Sequence, residues 1–249
     1  MSTPITYREL LIDRYALVYA WLPEGCQRVL DVGCGNAIFT AWLRGKAVQV
    51  FGIDHNRRNV AQGRRAYPGL HLAVSAGEHL PFPEGMFDAV VCTETLEHVD
   101  EDQAAMEEMY RVLAPQGILI LTVPQGGLFG WLDGENVVNG FFRALQRLRI
   151  PKPGGGRILE RFRYRRHRHY SVAQLRQLLG ERFEVERVYQ GGLLLYPLLY
   201  LIEKCLESFG GVSLVEADYR FLRLLRAWDF TCAYGRWAFN LALRARKTK

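Results

Sequence analysis

Short apolar runs along the chain alternate with segments in which apolar residues recur every three or four positions. The runs are continuous, which is typical of parallel strands covered on both faces. The predicted strands are 28–32, 48–53, 70–74, 87–93, 117–123, 183–189 and 237–245. Helical periodicity precedes the first strand, over residues 7–22, and recurs between most of the others. The pattern therefore predicts an α/β fold in which strands and helices alternate.

Two long segments do not fit a minimal sheet. Residues 125–170 follow the fifth strand, and residues 191–232 separate the last two strands. The second segment contains LLLYPLLYLI, a stretch without a charge that is too short to span a bilayer and is interrupted by Pro197. Ser171 and Gln174 have the spacing of a capping box, which predicts that a helix begins at this point.

Composition and charge narrow the class of protein. The chain has 249 residues, of which 49% are hydrophobic, enough for one full core. Its net charge of +6 is concentrated in RILERFRYRRHRHY, residues 157–170. The five cysteines have no zinc-ligand spacing, and the first 25 residues lack the apolar core of a secretion signal. We therefore expect reduced thiols and a cytoplasmic protein.

The sequence VLDVGCGNAIF, residues 29–39, predicts a strand, a glycine turn and a helix. Gly33 and Gly35 allow a ligand to approach the backbone, but Ile38 stands where a dinucleotide fingerprint has its third glycine. A Walker loop is excluded because no Gly-Lys-Ser/Thr follows. Asp54 ends the second strand, where an acid accepts hydrogen bonds from a ribose. These features predict an adenosine without phosphates.

Further motifs occur in a characteristic order, namely GIDHN, SAGEHLPFPEGMFDAVVCTETLEHV and RVLAPQGILILTVP. Together with the glycine turn they resemble the class I S-adenosylmethionine-dependent methyltransferases, most closely the group that acts on small molecules and lipids. The resemblance is tight over residues 27–125 and loose over 165–190 and the C-terminus. It implies a Rossmann-like α/β fold: a seven-stranded, mostly parallel sheet with an antiparallel last strand, plus helical lid insertions. It also implies S-adenosyl-L-methionine as cofactor and S-adenosyl-L-homocysteine as product.

The expected organisation is a single methyltransferase domain over residues 1–249. Its core would be residues 23–124, 171–190 and 236–247. The lid and substrate insertions would be residues 1–22, 125–170 and 191–235, because the resemblance places substrate-recognising segments there.

The resemblance also assigns cofactor-binding residues. They are Asp31, Gly33 and Gly35 at the methionine part, Asp54 at the ribose hydroxyls, His55 beside adenine, Gly77 and Glu78 at the adenine edge, and Thr93 near the methyl donor. Ala76 departs from the family, which usually has an aspartate there for the adenine amino group. Either Glu78 or a backbone carbonyl would then take that role. Two structural alternatives are that Asp31 only orders the glycine turn and that Asp54 only caps a helix.

His98 is the candidate catalytic residue, as general base or as hydrogen-bond partner of the acceptor. The spacing of Glu94, Glu97 and His98 is similar to that of ubiquinone-pathway O-methyltransferases, where it is associated with a divalent metal. No metal is assigned here, and a purely structural role for this segment is the other alternative.

The large apolar side chains of the insertions favour an apolar, quinone-like or lipid-like acceptor. Oxygen is the expected acceptor atom. Residues 191–232 would form either a buried lid or a surface that contacts an anionic membrane, assisted by the Arg157–Arg168 cluster. Because that cluster interleaves Arg with Phe and Tyr, an RNA methyltransferase is an alternative function. Because of Ala76, a non-catalytic cofactor-binding subunit is another.

Overall fold

The computed structural model describes residues 14–147, 168–205 and 220–248. In chain order its main elements are α1 (Arg14–Trp21), β1 (Cys26–Val32), α2 (Ile38–Trp42), β2 (Ala47–Asp54), α3 (Arg57–Ala66), β3 (His71–Val74), β4 (Phe87–Thr93), α4 (Asp102–Val112), β5 (Leu113–Pro124), α5 (Gly134–Arg147), α6 (Val172–Leu179), β6 (Phe183–Gly191), α7 (Leu195–Cys205), α8 (Arg220–Thr231) and β7 (Asn240–Lys247). Unit 1, a compact unit, comprises Met1–Val123, Tyr170–Tyr189 and Leu241–Lys249. Unit 2 comprises Pro124–His169 and Gln190–Asn240.

The described residues form one seven-stranded sheet in the order β3-β2-β1-β4-β5-β7-β6. The pairs from β3 to β5 are all parallel. The last strand is antiparallel: the amide after its end, Thr248 N–H, donates to the carbonyl before the start of β6, Arg182 O, at 3.0 Å. The predicted Rossmann-like fold class is thereby confirmed.

The core of unit 1 lies on both faces of the sheet, which explains the continuous apolar runs. One cluster joins alternate strand residues, such as Leu30 and Val90, to Met109 of α4 and Leu175 of α6. The other joins the intervening strand residues to the helices of the opposite face, including Val18 of α1, Trp42 of α2 and Val60 of α3. Helix α1, which belongs to the first predicted insertion, therefore packs in the core of unit 1.

Three local expectations can be compared directly with the structure. The capping box is present, since Ser171 and Gln174 satisfy each other's backbone N–H groups at the start of α6. Pro197 does not interrupt its apolar stretch, because it lies in the first turn of α7, where a missing N–H breaks no helical hydrogen bond. The last strand begins at Asn240 and not at Trp237, because 235–237 form a 3₁₀ turn.

Unit 2 is built from helices around an aromatic interior. Helix α7 contacts both α5 and α8. The ring of Phe239 lies 6.1 Å from that of Tyr196 and 6.4 Å from that of Tyr200. Buried Asp229 ties α7 to α8, since its Oδ2 accepts from the N–H groups of Leu193 at 3.0 Å and Tyr196 at 2.8 Å. None of the helices in the described part of the chain is long and apolar enough to cross a bilayer.

Several predicted features lie outside the described residues. They are residues 157–167 of the arginine cluster, residues 7–13 of the N-terminal helix and residues 206–219 of the last insertion. The division of the chain into one methyltransferase core with three insertions stays a prediction.

Candidate functional site

A pocket opens at the carboxyl ends of β1 and β4. These two strands are neighbours, yet the chain leaves β1 toward β2 on one side and reaches β4 later on the other. Such a reversal of strand order leaves a crevice where α/β sheets bind ligands. The cavity has a volume of about 210 Å³. It is lined by Tyr15, Asp31, Gly33, Cys34, Gly35, Asn36, Ile38, Phe39, Trp42 and Thr93.

The glycine turn forms one wall of this pocket and is held from the end of β2. The N–H groups of Gly33 and Cys34 both donate to Ile53 O at 2.8 Å, and Gly35 N–H donates to Asp54 Oδ2 at 2.9 Å. Gly33 and Gly35 have φ angles of 81° and 53°, which favour glycine. A Cβ on Gly35 would point into open space, so this residue leaves room for a ligand against the backbone.

Asp31 is a buried carboxyl at the end of β1. Only 2% of the residue is exposed, and its Oδ2 accepts from Thr40 Oγ1 of α2 at 2.7 Å. Burial raises the pKa of Asp31 to about 7, with the Thr40 hydrogen bond acting against the rise and the nearby Asp54 adding to it. Asp31 thus faces the pocket and bonds the following helix, whereas Asp54 holds the glycine turn.

Thr93 and Glu94 end β4 on the other side of the pocket. Thr93 is buried, and its Oγ1 has no hydrogen-bond partner among the described residues. Glu94 has a φ of 49°, a left-handed conformation that is uncommon for a residue with a side chain. Its Oε1 accepts from Thr122 Oγ1 at 3.0 Å, and its Oε2 lies 3.5 Å from Arg14 Nη1.

Aromatic side chains form a wall that the sequence motifs did not predict. The ring centroids of Tyr15 and Phe39 are 4.9 Å apart, and those of Phe39 and Trp42 are 5.9 Å apart. Tyr15 belongs to α1, which the ion pair between Arg14 and Glu94 holds against the end of β4. Sequence periodicity alone marks these residues as ordinary core positions, because only the packing of α1 brings Tyr15 to the pocket.

Four of the eight predicted cofactor residues line this pocket, namely Asp31, Gly33, Gly35 and Thr93. Asp54 is linked to it through Gly35. Asp54 does not cap α3, because Asn56 is the N-cap residue and accepts from Arg58 N–H at 2.9 Å.

The remaining three predicted cofactor residues are not among those that line the pocket. The side chain of His55 is 62% exposed. Gly77 is buried against the side chains of Val32 and Val99. Glu78 is engaged at the start of α4, since its Oε1 accepts from Asp100 N–H at 2.8 Å.

His98 is half-buried in the turn after β4, where its backbone N–H donates to Thr95 O at 2.9 Å. Glu97 is buried nearby in the chain, and Glu94 is bonded as described above. Within residues 14–147, 168–205 and 220–248, no group of three or more His, Cys, Asp or Glu side chains is placed to hold a metal ion.

Two further buried polar groups lie in unit 2. Asp133 is fully buried; its Oδ2 lies 2.7 Å from His169 Nε2, and its Oδ1 accepts from Glu135 N–H at the start of α5. Gln125 is also buried, where Gln190 Nε2 donates to its Oε1 at 2.6 Å. For Asp133 the sequence offered only a weak signal, the run Asp-Gly-Glu, which is typical of the start of a helix.

Comparison with known proteins agrees with this geometry. The family model described as methyltransferase domain matches residues 30–121. A probable S-adenosylmethionine-dependent methyltransferase of Mycolicibacterium smegmatis is 30% identical over 113 residues, 45% of this chain and 44% of that protein. A ubiquinone biosynthesis O-methyltransferase of Psychrobacter cryohalolentis is 30% identical over 127 residues, 45% of this chain and 48% of that protein. The chain thus spans about half the length of the curated relatives it matches.

The fold is also found in a solved structure, described as a SAM-dependent methyltransferase and possible histamine N-methyltransferase of Thermotoga maritima. The TM-score is 0.58 at 20% identity, with 96% of this chain and 90% of that chain covered. At this identity the likeness supports the fold and not the substrate.

The raised pKa of Asp31 predicts how stability depends on pH. In the folded chain this carboxyl stays protonated up to about pH 7, whereas its ordinary pKa is 3.8. Between these values the folded state holds one more proton, so the free energy of unfolding falls as pH rises, by about 1.4 kcal/mol per pH unit for this group. The contribution of Asp31 to the free energy of unfolding is therefore fully present below pH 3.8, its ordinary pKa, and is lost once the pH exceeds its pKa in the folded chain, about 7.

Asp31→Asn removes this titration. From pH 5 to pH 7 we expect the unfolding free energy of wild type to fall relative to that of the variant by about 2 kcal/mol, measured by urea denaturation. Glu84→Gln, at an exposed position, is the matched control and should follow wild type. The same pH dependence in wild type and Asp31→Asn would contradict the raised pKa.

Proposed function

We propose that this chain, whose residues 30–121 match a methyltransferase domain, is a class I S-adenosylmethionine-dependent methyltransferase that transfers a methyl group to a small apolar, quinone-like or lipid-like acceptor. Oxygen is the favoured acceptor atom. The observation that carries the proposal is the pocket between the ends of β1 and β4, where the glycine turn, Asp31 and Thr93 meet.

The residues present fit the methionine end of this cofactor. The open side of Gly35 leaves room against the backbone, and the buried Thr93 hydroxyl is available to a ligand. Asp31 would accept from the methionine ammonium, and that cation would in turn favour the ionised carboxylate. The cavity of about 210 Å³ is smaller than most complete ligand sites, which agrees with a pocket for one end of a larger molecule.

The ribose and adenine would extend toward the ends of β2 and β3. Each Asp54 carboxylate oxygen already accepts one N–H, from Gly35 and from Asn56, and each keeps a lone pair for a ribose hydroxyl. Ala76 is exposed, and Glu78 is engaged with Asp100 N–H. Of the two alternatives for the adenine amino group, we therefore favour a backbone carbonyl over Glu78.

When bound, S-adenosylmethionine would supply an activated methyl on its sulfonium, with the neutral thioether as leaving group. The chain's own task is to align the reactants and to exclude water. Tyr15 in the aromatic wall is placed to stabilise a cation at the methionine end. His98 would accept the proton that a hydroxyl acceptor loses.

The acceptor class is supported by composition and by relatives. The interior of unit 2 is aromatic, since the ring centroids of Phe230 and Phe239 lie 5.8 Å and 6.1 Å from that of Tyr196. One relative bears the name of a ubiquinone biosynthesis enzyme. We assign acceptor recognition to the apolar residues of unit 2. The RNA methyltransferase alternative rests on residues 157–168, of which only Arg168 is described.

Calorimetric titration with S-adenosylmethionine and S-adenosylhomocysteine tests the proposal. We expect micromolar binding by wild type and a loss of at least about tenfold in Asp54→Ala, because both the ribose acceptor and the Gly35 hydrogen bond disappear. Asn56→Ala is the matched control, since it removes the cap of α3 two residues away and leaves the glycine turn intact. If wild type binds neither ligand, the chain is a non-catalytic member of the fold and the proposal is wrong.

Tyr15→Leu should separate the two ligands. Its ring can attract the positively charged sulfonium but not the neutral thioether, so we expect the Kd of S-adenosylmethionine to rise about tenfold and that of S-adenosylhomocysteine to rise much less. Tyr15→Phe should behave as wild type. Tyr19→Leu, one turn along α1 and outside the pocket lining, is the control. An equal loss for both ligands would assign Tyr15 to packing alone.

His98→Ala tests the general base. With a prenylated catechol as probe acceptor, we expect turnover to fall about 100-fold near neutral pH, while the Kd of the cofactor stays unchanged. The loss should shrink as pH rises, because the acceptor hydroxyl then ionises without help. His71→Gln, at the amino end of β3, is the control. A uniform loss at every pH would indicate a structural role.

A further inference from the structure

Unit 2 carries most of the large apolar side chains that the described residues expose. Of eleven such side chains, nine belong to unit 2. They are Leu128, Trp131, Val137, Phe141, Leu194, Ile202, Leu224, Trp228 and Trp237. Because exposed apolar surface is unfavourable in water, a concentration of this kind in one unit marks an interaction surface.

Three of these side chains are tryptophans, with exposed fractions of 70% for Trp131, 61% for Trp228 and 48% for Trp237. The backbone joins the segments that carry Trp131 and Trp237: Leu128 N–H donates to Trp237 O at 3.1 Å, and Gly130 N–H donates to Gly127 O in the turn that leads to Trp131. Gly127 lies so close to the carbonyl of Trp237 that a Cβ would overlap it. We call Leu128, Trp131 and Trp237 the tryptophan patch.

On two helices of unit 2, exposed apolar residues occur in pairs one turn apart. Leu224 and Trp228 are exposed on α8, and Val137 and Phe141 are exposed on α5. Residues four apart lie on the same face of a helix, so each helix presents an apolar strip. In contrast, Tyr196 and Pro197 in the middle of LLLYPLLYLI are buried.

The charge of the described part of unit 2 favours an anionic partner. Its described ranges contain eight Lys and Arg but four Asp and Glu. Two of the four acids, Asp133 and Asp229, are buried and accept backbone N–H groups. The Arg236 guanidinium lies 4.5 Å above the Trp237 ring. Basic side chains beside exposed tryptophans suit an anionic surface whose outer layer is polar and whose interior is apolar.

We propose that unit 2 docks on an anionic lipid bilayer through the tryptophan patch and the exposed strip of α8, with Trp131, Trp228 and Trp237 entering the interfacial region. Docking is peripheral, and its apolar contact comes from these residues and not from Tyr196 and Pro197, which are buried in the middle of the LLLYPLLYLI stretch. The inference rests on the proposed function in one respect, because a bilayer is where a lipid-like acceptor would be presented.

Sedimentation with sucrose-loaded vesicles tests the proposal. The probes are vesicles of phosphatidylcholine alone and of equal parts phosphatidylcholine and phosphatidylglycerol. We expect wild type to sediment with the anionic vesicles at low salt, and the triple variant Trp131→Ser, Trp228→Ser, Trp237→Ser to bind at least about tenfold more weakly at unchanged charge. Val48→Ser, at the most exposed large apolar residue of unit 1, should bind as wild type.

Brominated lipid gives a second measurement. It should quench the tryptophan fluorescence of wild type and not that of the triple variant, which retains Trp21 and Trp42. Wild type remaining in the supernatant at low salt, or the triple variant sedimenting as wild type does, would overturn the proposal.

Two other partners are outcomes of the same experiment. Light scattering that shows a wild-type dimer and a monomeric triple variant, without vesicle binding, would assign the surface to a second copy. Salt-sensitive RNA retention without vesicle binding would assign the charge to a nucleic acid. Calorimetric titration with S-adenosylhomocysteine runs in parallel, so that loss of membrane binding is distinguished from failure of the proposed methyl transfer.

Discussion

The hydrogen bonds between the glycine turn and the end of β2 are the constraint on which the candidate site depends. Ile53 O accepts two N–H groups from the turn, and Asp54 Oδ2 accepts a third. These bonds fix the turn in backbone conformations that glycine adopts readily, and they set the entry of α2 with its aromatic residues Phe39 and Trp42. The parallel pairing of β1 with β2 and β4 then aligns this turn with Thr93.

Burial of Asp31 beside this turn has an energetic consequence. A carboxylate that is almost inaccessible to water is unfavourable when ionised, and the Thr40 hydrogen bond offsets this only in part. Under the proposed function, the ammonium group of the cofactor would replace the missing solvation. The chain would thus sacrifice some stability at neutral pH for affinity, which is a common arrangement at binding sites.

The two compact units differ in the side chains they contribute. Unit 1 supplies the sheet, the glycine turn and the acids expected to hold the cofactor. Unit 2 supplies aromatic residues, both buried around Phe239 and exposed as Trp131, Trp228 and Trp237. Under the proposed function, unit 1 would align the cofactor, and acceptor choice would fall to the residues of unit 2.

The sequence by itself determined the order of strands and helices along the chain, the glycine turn and the position of Asp54 at the end of β2, because strand periodicity and turn chemistry are local properties. Asp31 was implied by the family resemblance. The tertiary structure decided which distant residues join them. Tyr15 reaches the pocket only because α1 packs beside β4, and Glu78 is engaged because the start of α4 lies next to it. Likewise, apolar character did not tell buried Tyr196 from exposed Trp228, since exposure depends on whether a neighbouring helix covers the side chain.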